Sequence, residues 1–353
     1  MTLEELGWDA RFEALMEPFR GDSCVPARIT QEHRGQYVAC AREGELPAVV
    51  TGKFRHEAAS PGAFPAVGDW VAVTVIDQGT RALIHGVLPR KSTFSRKAAG
   101  EAVEEQVVAA NVDIVLLVNG LDGDFNARRV ERYLALAWES GATPVIVLNK
   151  ADQCDNVDAC VAEIEAVAIG VDILVVSAHT GLGLEGLRAI LAPGRTLALL
   201  GSSGVGKSTL VNAVLGYERM KTHAVREDDS RGRHTTSHRE LIPIPGGGVL
   251  IDTPGMRELQ LWAEGDGIDR VFEDIAQLGE QCRFRDCQHM GEPGCAVAAA
   301  LAEGSLSAAR FESYGKLRRE LEFLARKQDR GLQAAERAKW KQIHKEIRRI
   351  QKK

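Results

Sequence analysis

The apolar run Leu197-Ala198-Leu199-Leu200 passes without interruption into Gly201-Ser202-Ser203-Gly204-Val205-Gly206-Lys207-Ser208-Thr209. The pattern is G-x-x-x-x-G-K-[ST], a phosphate loop set between a strand and a helix. Its glycines let backbone N–H groups converge on phosphate oxygens at the positive end of the helix that starts near Lys207. Lys207 is expected to reach the β- and γ-phosphates, and the Ser208 hydroxyl to bind Mg²⁺.

Working outward, further apolar runs lie at 114–118, 145–148, 173–176 and 249–251, with helix-length segments such as 129–140 and 157–169 among them. Buried apolar strands alternating with helices point to a parallel, doubly wound α/β sheet. In such sheets ligands lie beyond the carboxyl ends of the strands, and these runs end in polar motifs at that position. Val249-Leu250-Ile251 leads into Asp252-Thr253-Pro254-Gly255. This is a D-x-x-G in which Asp252 can hold Mg²⁺ through a water and the Gly255 amide can sense a γ-phosphate. The run 145–148 leads into Asn149-Lys150-Ala151-Asp152, or N-K-x-D. A carboxylate at Asp152 can accept hydrogen bonds from N1–H and the exocyclic amine of guanine; adenine offers no such pair, so the motif disfavours ATP. The run 173–176 ends in Ser177-Ala178-His179, where a backbone N–H can meet guanine O6.

These are the phosphate, switch and base motifs of a GTPase in an unusual order. N-K-x-D and Ser177-Ala178 precede the phosphate loop instead of following it. Moving the chain ends to another surface connection preserves a sheet, so the expectation is a circularly permuted GTPase for GTP and GDP.

Before this domain, from about residue 25 to 97, short alternating runs broken by Gly and Pro predict five or six strands of a small β-barrel. Residues 53–68 are expected to form a long exposed loop, and residues 1–24 an amphipathic lead-in carrying Leu6, Trp8, Phe12 and Leu15. The segment after Asp252-Thr253-Pro254-Gly255 leads directly out of the GTPase domain. The expected organisation is therefore an extension at 1–24, a barrel at 25–97, the permuted domain at 98–265 and a final domain at 266–353.

The final domain announces a metal site. Of seven cysteines, three fall in Cys282-x₄-Cys287-x-His289-x₅-Cys295. Three thiolates and one imidazole form a closed tetrahedral Cys₃His set for one structural Zn²⁺, with no position left open for catalysis.

The chain has 353 residues and a net charge of −5, but from 316 to 353 it holds 14 Lys and Arg against 5 Asp and Glu. A basic tail on an acidic body is suited to a polyanion. No apolar run approaches 18 residues, which excludes a spanning helix. The acidic opening MTLEELGWDARFE lacks the apolar core of a secretory signal. A cytoplasmic monomer that makes no membrane contact is expected.

With Val67-Gly68-Asp69-Trp70-Val71, residues 88–96 (LPRKSTFSR), the reordered motifs, Gly232-Arg233-His234-Thr235-Thr236 and the Cys/His cluster on the page, the chain resembles the RsgA (YjeQ-type) family of ribosome small-subunit-dependent GTPases. The likeness covers nearly the whole chain. It implies an N-terminal OB-fold barrel, a permuted GTPase and a C-terminal zinc domain. It also implies late binding to the 30S subunit and its 16S rRNA, GTP hydrolysis stimulated by that subunit, and release afterwards. Switch I is then expected at 225–238, with Thr235 or Thr236 as a second Mg²⁺ ligand. Met256 stands where Ras-like enzymes carry a water-positioning Gln, and a thioether is too weak an acceptor for that task. His234 is the candidate to position the water instead.

An OB barrel binds nucleic acid through a basic face. Arg34, Lys53, Arg55, His56, Arg90, Lys91, Arg96 and Lys97 are candidate phosphate contacts, joined by Arg348, Arg349, Lys352 and Lys353 of the tail. A different class of function, an RNA-binding module in which slow hydrolysis is only a timer, uses the same residues and is separated from a stimulated enzyme by its rate on the subunit.

Overall fold

A computed structural model of the protein describes residues 1–33, 35–97, 105–220, 239–252 and 266–326. The chain divides into two compact units, Met1–Arg96 with Gln106–Gln260, and Lys97–Glu105 with Leu261–Lys353.

The first unit begins with a short helix, α1 (Ala10–Leu15), whose N-cap Asp9 accepts a hydrogen bond from the Phe12 amide at 3.0 Å. Leu6 and Phe12 are buried, and Trp8 meets Trp70 edge-on at 4.7 Å between ring centroids. The lead-in thus packs on Trp70 of the following barrel. Strands β1 (Val25–His33), β2 (Gln36–Ala41) and β3 (Gly44–Val50) are followed by helix α2 (Gly52–Glu57), then β4 (Trp70–Ile76) and β5 (Arg81–Val87). They run in the order β1-β2-β3-β5-β4, and β4 pairs back onto β1 to close the barrel. Ile29, Ala39, Val71, Val73 and Ile84 fill it, as alternation along half-buried strands requires. The stretch 53–68, expected as a loop, instead carries α2 and a 3₁₀ turn at Pro61–Ala63. Thr51 caps α2 by accepting from the Phe54 amide at 3.2 Å, and Phe54 stacks edge-on against Phe64 at 5.9 Å. A lone Thr before a charged hexapeptide gave too little periodicity to reveal the helix.

Strands β6 (Thr93–Lys97) and β7 (Glu105–Ala110) pair with each other. The GTPase sheet follows, as β8 (Ile114–Gly120), α3 (Ala127–Ser140), β9 (Thr143–Asn149), α4 (Val157–Glu165), β10 (Asp172–Val175), α5 (Leu184–Ile190), β11 (Thr196–Leu200), α6 (Lys207–Leu215), β12 (Arg239–Pro243) and β13 (Val249–Asp252). Its order is β10-β9-β8-β11-β13-β12, parallel except that β12 is antiparallel to β13. The apolar runs read from sequence are the parallel strands. β8 is buried from Val115 to Gly120, because a sheet covered on both faces has no solvent side.

Sequence gave no hint that β12 also pairs with β1, which makes barrel and GTPase sheet one eleven-stranded surface. Glu32 accepts from Arg239 across that joint at 2.9 Å. A second tie is Arg28, only 1% exposed on β1. Its guanidinium donates to the carbonyls of Leu6, Gly68 and Asn111 and, at 2.8 Å, to Thr196 Oγ1 at the foot of β11. Burial pulls its pKa down to about 10, against the raising influence of Asp113 and Asp69. Removing a buried donor leaves its acceptors without partners, at about 1–3 kcal/mol each. Arg28→Leu should therefore destabilise this unit by about 3 kcal/mol or more, seen as an earlier urea transition.

Two residues expected on the RNA face are engaged inside this unit. Arg90 clasps Asp69 through two 2.8 Å hydrogen bonds and donates to the carbonyls of Gly62 and Phe64. Lys91 pairs with Asp113 at 2.5 Å. Lys53, Arg55 and His56 on α2 are exposed. Arg34 and the tail beyond residue 326 lie outside the described residues.

The second unit holds α7 (Asp266–Val271), α8 (Glu273–Glu280), α9 (Ala296–Glu303) and a further helix over 308–326. Arg310 is nearly buried, donates twice to Asp274 at 2.8 Å and once to the Val271 carbonyl, and lies 4.9 Å above the Phe272 ring. Among the described residues no helix is long and apolar enough to cross a membrane.

Candidate nucleotide-binding site and metal cluster

The carboxyl ends of β8, β9, β10 and β11 bring the separated motifs into register. Asn149, at the end of β9, is 2% exposed. Its Nδ2 donates to the Val205 carbonyl of the phosphate loop at 2.9 Å, and its Oδ1 accepts from the Ala178 amide after β10 at 3.0 Å. One side chain therefore joins the base motif, the phosphate loop and the Ser177-Ala178 turn. The Ala151 amide adds a 3.1 Å bond to the Val176 carbonyl. Lys150 has a left-handed backbone, φ +65°, which turns the chain so that Asp152 stands exposed in the 3₁₀ turn Ala151–Gln153. Ser177 is fully buried, and its Oγ accepts from the Thr180 amide.

The phosphate loop runs from β11 into α6. Gly206 is the N-cap of α6, at φ +90°, with no side-chain capping bond. The first-turn amides thus face outward at the positive end of the helix dipole, where an anion is favoured. Lys207 Nζ donates to the Gly201 and Ser202 carbonyls at 2.6 and 2.5 Å, holding the ammonium over the loop. Ser203 and Gly204 are exposed and Val205 is buried. Ser208 and Thr209 follow in the first turn of α6. The hard oxygen donors here, the Ser208 hydroxyl and the Asp252 carboxylate at the end of β13, fit the octahedral oxygen preference of Mg²⁺. Gly255, His234, Thr235, Thr236 and Met256 lie outside the described residues.

Sequence reasoning missed the loop after β8, Asp122-Gly123-Asp124. Lys150 Nζ bonds Asp122 Oδ2. Ser202 Oγ donates to Asp124 at 2.8 Å while accepting from Arg129 Nη1 at 2.8 Å, and Arg129 also pairs with Asp124. Burial works to raise the Asp122 carboxyl, but the Lys150 hydrogen bond and local amides outweigh it and hold it below the usual range. The Arg129 hydrogen bond does the same for Asp124. The available signal was positional: Asp-Gly-Asp also follows an apolar strand at its carboxyl end.

In the second unit, the ligand atoms of Cys282, Cys287, His289 and Cys295 all lie within 4.8 Å of one another. Cys282 Sγ is 3.9 Å from Cys295 Sγ, and His289 Nδ1 is 3.6 and 3.5 Å from the two. Sulfurs on a tetrahedral Zn²⁺ at about 2.3 Å stand roughly 3.8 Å apart, so the donor set and its size fit that ion. Cys295 is also the N-cap of α9, its Sγ accepting from the Ala298 amide.

Residues 87–262 match the family model described as RsgA GTPase. The small ribosomal subunit biogenesis GTPase RsgA of Opitutus terrae is 48% identical, with 98% of this chain and 96% of that protein covered. Its counterpart in Syntrophotalea carbinolica is 44% identical over 99% and 98%. Among solved structures, the crystal structure of YjeQ from Thermotoga maritima superposes with a TM-score of 0.63 at 30% identity, covering 84% of this chain and 98% of that one. YloQ, a circularly permuted GTPase, gives 0.59 at 24% identity over 87% and 96%, and so speaks to the fold. The reordered motifs meet at one end of a single sheet, and identity of this depth spans almost the entire sequence, so the chain belongs to the RsgA GTPase family and is a GTP-hydrolysing enzyme.

Proposed function

We propose that the protein binds the small (30S) ribosomal subunit through 16S rRNA late in its maturation, hydrolyses GTP to GDP faster when bound there, and then dissociates. The observation that carries the nucleotide half is the Asn149 side chain bonded to both Val205 and Ala178. It ties together the base motif, the phosphate loop and the Ser177-Ala178 turn, which lie apart in the reordered chain. The subunit half is supported by the relatives' name, small ribosomal subunit biogenesis GTPase.

In this reading Asp152 accepts from the guanine edge, Asn149 and Lys150 shape the base pocket, and the Ser177-Ala178 turn offers its amide to guanine O6. Residues 201–206 present amides to the phosphates, Lys207 neutralises β- and γ-phosphate charge, and Gly255 senses the γ-phosphate. Ser208, Asp252 and either Thr235 or Thr236 would hold Mg²⁺, which when bound neutralises charge developing on the phosphates. His234 orients the attacking water. The barrel at 25–97 and the basic tail grip RNA phosphates, while the domain at 266–353 is built around one structural Zn²⁺. The protein works as a cytoplasmic monomer.

Zinc analysis of the full chain should return one ion per molecule. Cys295→Ser, which removes both a ligand and the cap of α9, should lower zinc affinity by orders of magnitude and cost helical circular dichroism on chelation. Unchanged zinc affinity in that variant would remove the assignment.

The subunit reading is tested by co-sedimentation with purified 30S and 50S particles in a non-hydrolysable GTP analogue and in GDP. Selective pelleting with 30S in the analogue, weakened steeply by salt as counterion release demands, and a rate rise of orders of magnitude on 30S are expected. Equal pelleting with 50S, or no rate rise, would refute it.

A further inference from the structure

The seven cysteines sort into three kinds. Cys282, Cys287 and Cys295 belong to the metal cluster, and Cys24 and Cys40 are buried. Cys154 and Cys160 are both half-buried, and their sulfurs lie 4.0 Å apart. Cys154 ends the 3₁₀ turn Ala151–Gln153 that carries Asp152, its amide reaching the Ala151 carbonyl at 3.4 Å. Cys160 sits in α4, whose N-cap Asn156 accepts from the Ala159 amide at 3.1 Å. Two thiols in van der Waals contact, open to solvent and anchored on separate elements, form a dithiol placed two residues from the carboxylate that reads the base.

We propose that Cys154 and Cys160 are a modification site: a low-molecular-weight disulfide such as oxidised glutathione converts them to an intramolecular disulfide that weakens guanine-nucleotide binding. The inference rests on the reading of Asp152 given above. In the first step a Cys154 thiolate attacks one glutathione sulfur, forming a mixed disulfide and expelling glutathione thiolate. In the second the Cys160 thiolate attacks Cys154 Sγ, forming the internal bond and expelling the second glutathione thiolate. The protein loses two electrons and two protons, and one oxidised glutathione becomes two reduced ones. Burial, then the contact with Cys154, pushes the Cys160 thiol up. Forming the bond closes the sulfurs from 4.0 Å to about 2.05 Å. That draws the Asp152 turn toward α4, and displacements of this order in a site cost large factors.

The test uses the zinc-loaded full chain. Both thiols fall on one tryptic fragment, residues 151–188, between Lys150 and Arg188. After oxidised glutathione and alkylation of remaining thiols, that fragment should lack two hydrogens and take no alkyl group. Affinity for a fluorescent GDP should fall about tenfold and return with dithiol reductant. Cys160→Ser, when reduced, should bind GDP as the parent does, and when oxidised should stop at glutathione on Cys154. A parent fragment that is alkylated twice, or that carries glutathione without an internal bond, overturns the proposal. So does an internal disulfide with unchanged affinity. A reduced parent showing no preference for guanine over adenine would fault the Asp152 assignment instead, while the mapped bond and its affinity change would still decide this one.

Discussion

Replacing His234 by alanine should lower the 30S-stimulated rate of GTP hydrolysis by about 10²–10⁴ while leaving GTP affinity within a few fold, because a group that only positions the attacking water acts in the transition state and not in the ground state. Met256 follows Asp252-Thr253-Pro254-Gly255, and its thioether offers no strong hydrogen bond to a water. The water must therefore be positioned from elsewhere, and the family resemblance points to His234, beside Thr235. The measurement is single-turnover hydrolysis on saturating 30S particles, with nucleotide affinity determined separately. A parallel loss of binding would mean that His234 shapes the pocket; unchanged turnover would release it from the chemistry.

Gly206→Ala should remove measurable GTP binding. Two physical terms combine at this position. Its backbone is left-handed at φ +90°, which costs any L side chain on the order of 1 kcal/mol or more. A Cβ there would stand 2.4 Å from Asn149 Nδ2, inside any allowed contact. Asn149 cannot retreat, since its amide is buried and holds both the Val205 carbonyl and the Ala178 amide. The methyl group would therefore separate the phosphate loop from the base motif. A loss of binding by about a thousandfold or more is expected, read by fluorescent-nucleotide titration. Near-normal affinity would show that the two motifs do not depend on their contact. The comparison Asn149→Ala should also weaken binding, by losing the same bridge from the other side.

Much of this site is legible in the sequence, because phosphate and purine recognition place fixed residue types directly after buried strands. Gly201 to Ser208, Asn149 to Asp152 and Ser177-Ala178 all lie at the carboxyl ends of their strands. The Cys/His spacing likewise anticipated a compact cluster. What stayed hidden depends on contacts between distant segments. The pairing of β12 with β1 leaves no trace in the alternation of either strand. Arg28 reads as an ordinary barrel arginine until its partners arrive from residues 6, 68, 111 and 196. Arg90 and Lys91 look like phosphate contacts on the basic face of an OB barrel, but Asp69 and Asp113 claim them. Asp122, Asp124 and Arg129 escaped notice because a short acidic turn is common on any surface, and only the hydrogen bonds to Lys150 and Ser202 tie it to the nucleotide loops.

In the proposed function, loops reordered along the chain form one pocket selective for guanine, with Asp152 as the discriminating group. Competition between GTP, ATP and xanthosine triphosphate on the parent and on Asp152→Asn tests it directly. The parent should prefer GTP by large factors. In the amide variant GTP should bind at least a hundredfold more weakly, and xanthosine triphosphate should gain, since its C2 carbonyl accepts from the new amide where the guanine amine cannot. A variant that ranked the three nucleotides as the parent does would show that Asp152 does not read the base.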